Sequence, residues 1–133
     1  MSEILILEDE LTYQMMLAEV LGEAGYQVTP ARTGNEALKI IQQQQFDLFL
    51  IDNRLPGMSG LDFLRAVRGA GNQAPAIIMT AYVDVPTVVE SMRLSAADFL
   101  VKPFSINALL PMVDRYLHPE ANLSDRSQRV SND

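Results

Sequence analysis

Leu48-Phe49-Leu50-Ile51-Asp52 is an apolar run that ends in a carboxylate, with a segment of helical spacing on either side of it. In a strand, consecutive side chains point to opposite faces, so an unbroken apolar run demands cover on both. Ile4–Leu7, Ala76–Met79 and Phe99–Val101 have the same unbroken character, whereas Tyr26–Thr29 alternates, as suits a sheet edge. All five read as strands. The segments that follow them carry apolar residues at helical spacing: Leu17, Val20, Leu21 and Ala24; Val85, Val88, Val89 and Met92; and Ile106, Leu109, Leu110, Val113 and Leu117. Ala37, Leu38 and Ile41, then Phe63, Leu64 and Val67, are shorter versions. These stripes are core faces. Gly25 stands where the first helix should stop, Asp84 can cap the fourth with Pro86 in its first turn, and Ser105 can cap the fifth. Pro111 falls inside the fifth pattern, where it removes a donor and crowds the preceding turn, so a kink or local break is expected there.

Five βα units in strict alternation imply a parallel sheet with helices on both faces and right-handed crossovers, a doubly wound α/β fold. With strand order 2-1-3-4-5, a crevice opens beyond the carboxyl ends of strands 1 and 3, where the winding reverses.

The chain has 133 residues, 48% of them hydrophobic and 20% charged, which is enough for one core and not for two. Residues 1–117 are expected to form that domain. Residues 118–133, rich in Ser, Asn, Asp and Arg, read as a flexible tail or a linker to a further domain. No apolar stretch approaches the roughly 18 residues of a membrane span, and Met-Ser-Glu-Ile lacks the features of a secretory leader, so a cytoplasmic protein is expected. The absence of cysteine fits that compartment and excludes thiolate chemistry, Cys metal sites and disulfides. A net charge of -7 makes the surface repel nucleic-acid backbones, so direct contact with nucleic acid is not expected.

Chemistry gathers at the strand ends. Glu8 and Asp9 follow Leu7, Asp52 follows Ile51, Thr80 follows Met79 and Lys102 follows Val101, all on one rim of such a sheet. A single strand-end carboxylate is usually a turn former or helix cap. Three acids, a hydroxyl and a lysine at one rim are much harder to produce by accident. Crowded carboxylates repel one another unless a cation neutralises them, and oxygen-only ligands favour Mg²⁺ over zinc; His118, the only histidine, lies too far along the chain to help. With Mg²⁺ present, one carboxylate can attack phosphorus to form an acyl phosphate. Lys102, the Thr80 hydroxyl and the Ala81 backbone N–H can then bind the phosphoryl oxygens.

The sequence resembles the receiver domain of two-component response regulators over residues 3–117. The residues that carry the resemblance are Leu7-Glu8-Asp9-Glu10, Ile51-Asp52-Asn53-Arg54-Leu55-Pro56-Gly57-Met58-Ser59-Gly60, Met79-Thr80-Ala81-Tyr82, and Asp98-Phe99-Leu100-Val101-Lys102-Pro103-Phe104. It implies a flavodoxin-like (βα)5 receiver fold in which Asp52 is the phosphorylation site, served by a sensor histidine kinase or a phosphotransfer protein. It also implies Mg²⁺ held by Asp9, Asp52 and the backbone carbonyl of Arg54, with Glu8 acting through water. Thr80 and Phe99 would be a switch pair that repacks the face made by helix 4, strand 5 and helix 5, and Lys102–Pro103 would be a cis peptide. Phosphorylation-linked homodimerisation through that face is expected, with transcription the expected output. The wording around Arg54 and Met79–Pro86 is similar to receivers of NtrC-type and FixJ-type transcriptional regulators. Glu8 in place of Asp, and Ser95-Ala96-Ala97 in place of Gly-Ala, are mild departures. Arg54 and Tyr82 flank the expected route of hydrolytic water, from which a long-lived phosphoryl state is expected.

Two other classes fare worse. An aspartyl-nucleophile phosphohydrolase normally has a second Asp two residues beyond the first, where this chain has Arg54. A flavin carrier must cradle a phosphate in its first loop, and Glu8-Asp9-Glu10 would repel one.

Overall fold

The computed structural model describes residues 2–119. Within them the elements alternate as β1 Glu3–Leu7, α1 Leu11–Glu23, β2 Gln27–Ala31, α2 Gly34–Ile41, β3 Leu48–Asp52, α3 Gly60–Gly69, β4 Ala76–Thr80, α4 Val85–Arg93, β5 Asp98–Val101 and α5 Ile106–Leu117. The strands form one parallel sheet in the order β2-β1-β3-β4-β5. The expected doubly wound fold is therefore present. The expected tail lies almost wholly outside the described residues.

Three of the four unbroken apolar runs are buried as their composition demands, whereas Phe99–Val101 lies in the edge strand β5 and leaves Val101 52% exposed. All five residues of β3 and of β4 are buried, and alternate side chains feed two apolar layers. Leu5, Leu7, Phe49, Ile51 and Ile78 meet Phe63, Leu64 and Val67 of α3 on one face. Ile4, Ile6, Leu48, Leu50, Ile77 and Met79 meet Leu17 and Leu21 of α1 and Leu109 and Val113 of α5 on the other.

Helix ends follow side-chain chemistry. Asp84 caps α4 by accepting from the Thr87 N–H, with Pro86 in the first turn, and Ser105 caps α5 by accepting from the Ala108 N–H. Ser59 and Asp62 form a reciprocal capping box on α3. Gly25, at φ +100°, takes the left-handed turn just beyond α1.

Three further expectations need correction. The second strand is Gln27–Ala31, later than Tyr26–Thr29, because Tyr26 packs into the core layer and its hydroxyl donates to Asp114 of α5. Pro30 is tolerated in β2 because that strand lies at the edge of the sheet. The second concerns Pro111, at which α5 does not break: the helix runs on to Leu117 through an exposed position. The third is the apolar stripe of α4, which is not a core face: Val85 and Met92 are largely exposed, and the buried residue of that helix is Ser91.

Candidate functional site

β1 and β3 are adjacent in the sheet, but their following helices pack on opposite faces, so the loops beyond their carboxyl ends part and leave a crevice. Parallel register levels the strand ends: Leu7 pairs with Ile51, Asp52 with Met79, and Thr80 with Val101. Glu8, Asp9, Asp52, Thr80 and Lys102 consequently sit along one rim, as their places in the sequence implied.

One carboxylate oxygen from each of Glu8, Asp9 and Asp52 lies within 4.8 Å of the others. Lys102 reaches into this cluster, its Nζ donating to Glu8 Oε2 at 2.6 Å and to Asp52 Oδ2 at 2.9 Å. The other Asp52 oxygen, Oδ1, accepts from the Arg54 backbone N–H at 3.0 Å. Glu8 is completely buried and Asp52 only 4% exposed. Burial pushes the Glu8 carboxyl up to about 7, with the Lys102 bond pulling it down and the Asp52 charge adding to the rise. Burial also opposes the charge on Lys102, yet its bonds to Glu8 and Asp52 outweigh this and hold the ammonium above its ordinary pKa. Lys102 bonds only Glu8 and Asp52 of the three clustered acids, which leaves an excess of negative oxygen that a hard divalent cation would complement.

Other residues singled out in the sequence are placed as follows. Thr80 is fully buried, and its Oγ1 accepts from the Tyr82 N–H at 3.1 Å. Ala81 follows it and is exposed. Phe99 is half-buried against the apolar layer on the α2–α3 side and does not join the carboxylate cluster. The Arg54 guanidinium stacks on the Tyr82 ring, 3.8 Å from its centroid. The Lys102–Pro103 peptide is cis.

Three residues contribute in ways that the sequence reading did not assign. Gln14, buried on α1, donates from Nε2 to the Glu8 carbonyl at 3.0 Å and the Ala31 carbonyl at 3.1 Å, fastening the ends of β1 and β2. Its signal was available: a polar side chain three positions before Leu17, on the apolar face of the helix. Tyr13 lies one residue earlier, its ring 4.4 Å from the Lys102 ammonium. Gly60 opens α3 so close to β3 that a Cβ would meet the Asp52 carbonyl oxygen at 2.3 Å.

Comparison with known proteins agrees with this geometry. Residues 4–114 match the response regulator receiver domain family. The chain belongs to that family. Sporulation initiation phosphotransferase F of Bacillus subtilis is 35% identical to this receiver over 120 residues, which are 90% of this chain and 97% of that protein. Transcriptional regulatory protein ZraR of Escherichia coli K12 is 34% identical over 115 residues, 86% of this receiver but only 26% of the longer protein. Among solved structures, response regulator TrrA of Thermotoga maritima, in complex with Mg²⁺-BeF, is 33% identical with a TM-score of 0.79, the match covering 87% of this receiver and 99% of that chain.

Proposed function

We propose that this receiver, its domain spanning residues 1–117, accepts a phosphoryl group on Asp52 from the phosphohistidine of a sensor histidine kinase or phosphotransfer protein, in a Mg²⁺-dependent reaction in the cytoplasm. The observation that carries the reading is the cluster itself: Asp52 bonded to Lys102, with Glu8 and Asp9 within 4.8 Å of it. The donor set fits the ion. Asp9, Asp52 and the Arg54 carbonyl would hold Mg²⁺ directly, with Glu8 acting through water, and oxygen donors of this kind suit a hard cation that retains several waters. When bound, Mg²⁺ would offset charge on the phosphoryl oxygens.

In the transfer, an Asp52 carboxylate oxygen forms a bond to phosphorus while the P–N bond of the phosphohistidine breaks, and the imidazole nitrogen leaves with the electron pair. Lys102 ion-pairs with a phosphoryl oxygen, and the Thr80 hydroxyl and Ala81 N–H donate to the others, so positioning and electrostatics do most of the work. Thr80 then turns from Tyr82 toward the phosphoryl group and Phe99 turns inward, which repacks the face of α4, β5 and α5. That population shift acts on an effector, with homodimerisation as the intermediary and transcription as the output, in keeping with relatives such as ZraR. The domain itself does not contact nucleic acid or membrane: the chain's charge is -7, and no described helix is long and apolar enough to cross a bilayer. It is a phosphoacceptor that also loses the group by itself, not a turnover enzyme.

Incubation with Mg²⁺ and a small phosphodonor, followed by mass measurement of the intact protein, tests this. The wild type should gain one phosphoryl mass and Asp52→Asn none. An equal gain in both would remove Asp52 from the role, and steady phosphate release from many monoesters would make the protein a hydrolase.

A further inference from the structure

Lys102 is held from two sides. Its Nζ donates to Glu8 and Asp52, and on another side it lies over the ring of Tyr13 from the first turn of α1, 4.4 Å from the centroid. The Tyr13 ring is itself braced by Phe104, edge to face with centroids 5.8 Å apart. Phe104 lies two residues beyond Lys102, so the loop after β5 grips the ring at both its ends. The Tyr13 hydroxyl is buried and has no hydrogen-bond partner among the described residues. No protein hydrogen bond therefore accounts for a tyrosine at this place, whereas its π face meets an ammonium in partly desolvated surroundings, where such contacts are strongest.

We infer that Tyr13 is a positioning residue for phosphoryl transfer, its ring steering the Lys102 ammonium toward the phosphoryl oxygens. This rests on the reading of Asp52 as the acceptor. The physical need is plain. An ammonium on a four-carbon stem has many rotamers, and two buried carboxylates alone would pull it down among themselves. The ring supplies a second attraction that is uncharged, so it restrains Lys102 without competing for Mg²⁺ or repelling an incoming phosphoryl group. Once Asp52 bears the phosphoryl group, Lys102 exchanges carboxylate partners for a phosphoryl oxygen while the ring contact can persist.

The test uses the whole chain with Tyr13→Phe and Tyr13→Leu. Phenylalanine keeps the π face and loses no protein hydrogen bond, whereas leucine keeps the apolar bulk and loses the face. With Mg²⁺ and acetyl phosphate, Tyr13→Phe should be phosphorylated at a rate within about twofold of wild type. Tyr13→Leu should slow by roughly tenfold at saturating donor, a loss in the range of a partly desolvated cation–π contact. Mg²⁺ affinity, measured without donor, should remain within about twofold in both variants, because the ring touches no magnesium ligand; a collapsed site would weaken it. Independently of phosphorylation, the Lys102 ε-methylene protons should be shifted upfield by the ring current in wild type and Tyr13→Phe. They should return to ordinary values in Tyr13→Leu. An ordinary Lys102 shift in the folded wild type overturns the inference even if the leucine variant does not fold. Equal phosphorylation rates in wild type and Tyr13→Leu overturn it too. If the wild type itself gains no phosphoryl group, the parent reading of Asp52 fails instead.

Discussion

At the scale of single residues, the contact that bears most directly on the lifetime of a phosphorylated Asp52 is the stack of Arg54 on Tyr82. Arg54 lies two residues after Asp52 and Tyr82 two residues after Thr80, so the stack ties the β3–α3 loop to the β4–α4 loop across the rim. Hydrolysis needs water in line with the Asp52–phosphorus bond, and a planar guanidinium lying on an aromatic ring leaves less room for it. Tyr82 is 61% exposed, so the contact is worth only about 0.5–1 kcal/mol, which corresponds to a modest factor in rate. The wild type should hold its phosphoryl group for minutes or longer. Tyr82→Ala should shorten the half-life by about two- to fivefold and Tyr82→Phe should hardly alter it, as followed by loss of phosphoryl mass after removal of the donor. A wild-type half-life of seconds at room temperature would sink the idea of a shielded site.

At the scale of elements, two helix ends lead to opposite expectations for substitution. Gly60 begins α3 against the end of β3, and an added Cβ would also meet Ile51 Cγ2 at 2.6 Å and the Asn53 Cα at 2.9 Å. Much of what it meets is backbone and cannot swing aside, so Gly60→Ala should destabilise the fold by about 2 kcal/mol or more and slow phosphorylation of Asp52. Denaturant melts and the mass assay check both effects. Ser95 shows the reverse. It follows α4 at φ +58°, with its N–H bonded to the Met92 carbonyl and the Ala96 N–H to the Ser91 carbonyl, a Schellman ending that glycine suits better. Ser95→Gly should therefore stabilise by about 1 kcal/mol, a rise of roughly 3–6 °C in Tm by calorimetry. That strain explains why the departure from Gly-Ala noticed in the sequence has a physical consequence without touching the site. What could be read in the chain and what could not divides along similar lines. The runs at Leu48 and Ala76 were placed to within one residue, because burial on both faces writes an unbroken apolar pattern. The edge strand was displaced because Tyr26 owes its place to Asp114, 88 positions away, and local periodicity carries no trace of such a pair. The carboxylates, Thr80 and Lys102 were legible as strand-end residues in register. Tyr13 was not, since it sits on α1 and acts on an ammonium delivered by another element, and Gln14 left only the sign of a polar residue on an apolar face, with no trace of the two carbonyls it fastens.

At the scale of the whole molecule, the proposed phosphorylation of Asp52 raises the question of what would then cover the face of α4, β5 and α5. Val85, Met92, Val101 and Ile106 are 75%, 71%, 52% and 47% exposed, a concentration of large apolar side chains on three neighbouring elements. β5 is also an edge strand, although its four residues give it only a short unpaired flank. A twofold interface would need about 800 Å² from each partner, which such a face is of the right order to supply. Electrostatics oppose it. Each chain carries a charge of -7, and turning the Asp52 carboxylate into an acyl phosphate would add at most about one more negative charge, which a bound Mg²⁺ would offset, so two copies repel until their apolar surfaces meet. Two consequences can be measured by sedimentation of the Mg²⁺-loaded, phosphorylated protein. Dimerisation should strengthen as salt rises, because screening removes repulsion while apolar burial is little affected. Met92→Glu should abolish the dimer, since it would put a charge into the proposed apolar interface, yet it should leave the gain of phosphoryl mass unchanged because Met92 lies at the end of α4 away from the β4–α4 loop. A phosphorylated wild type that stays monomeric at every salt concentration would show that the repacked face is read by a different partner, and a dimer that survives Met92→Glu would place the interface elsewhere on the molecule.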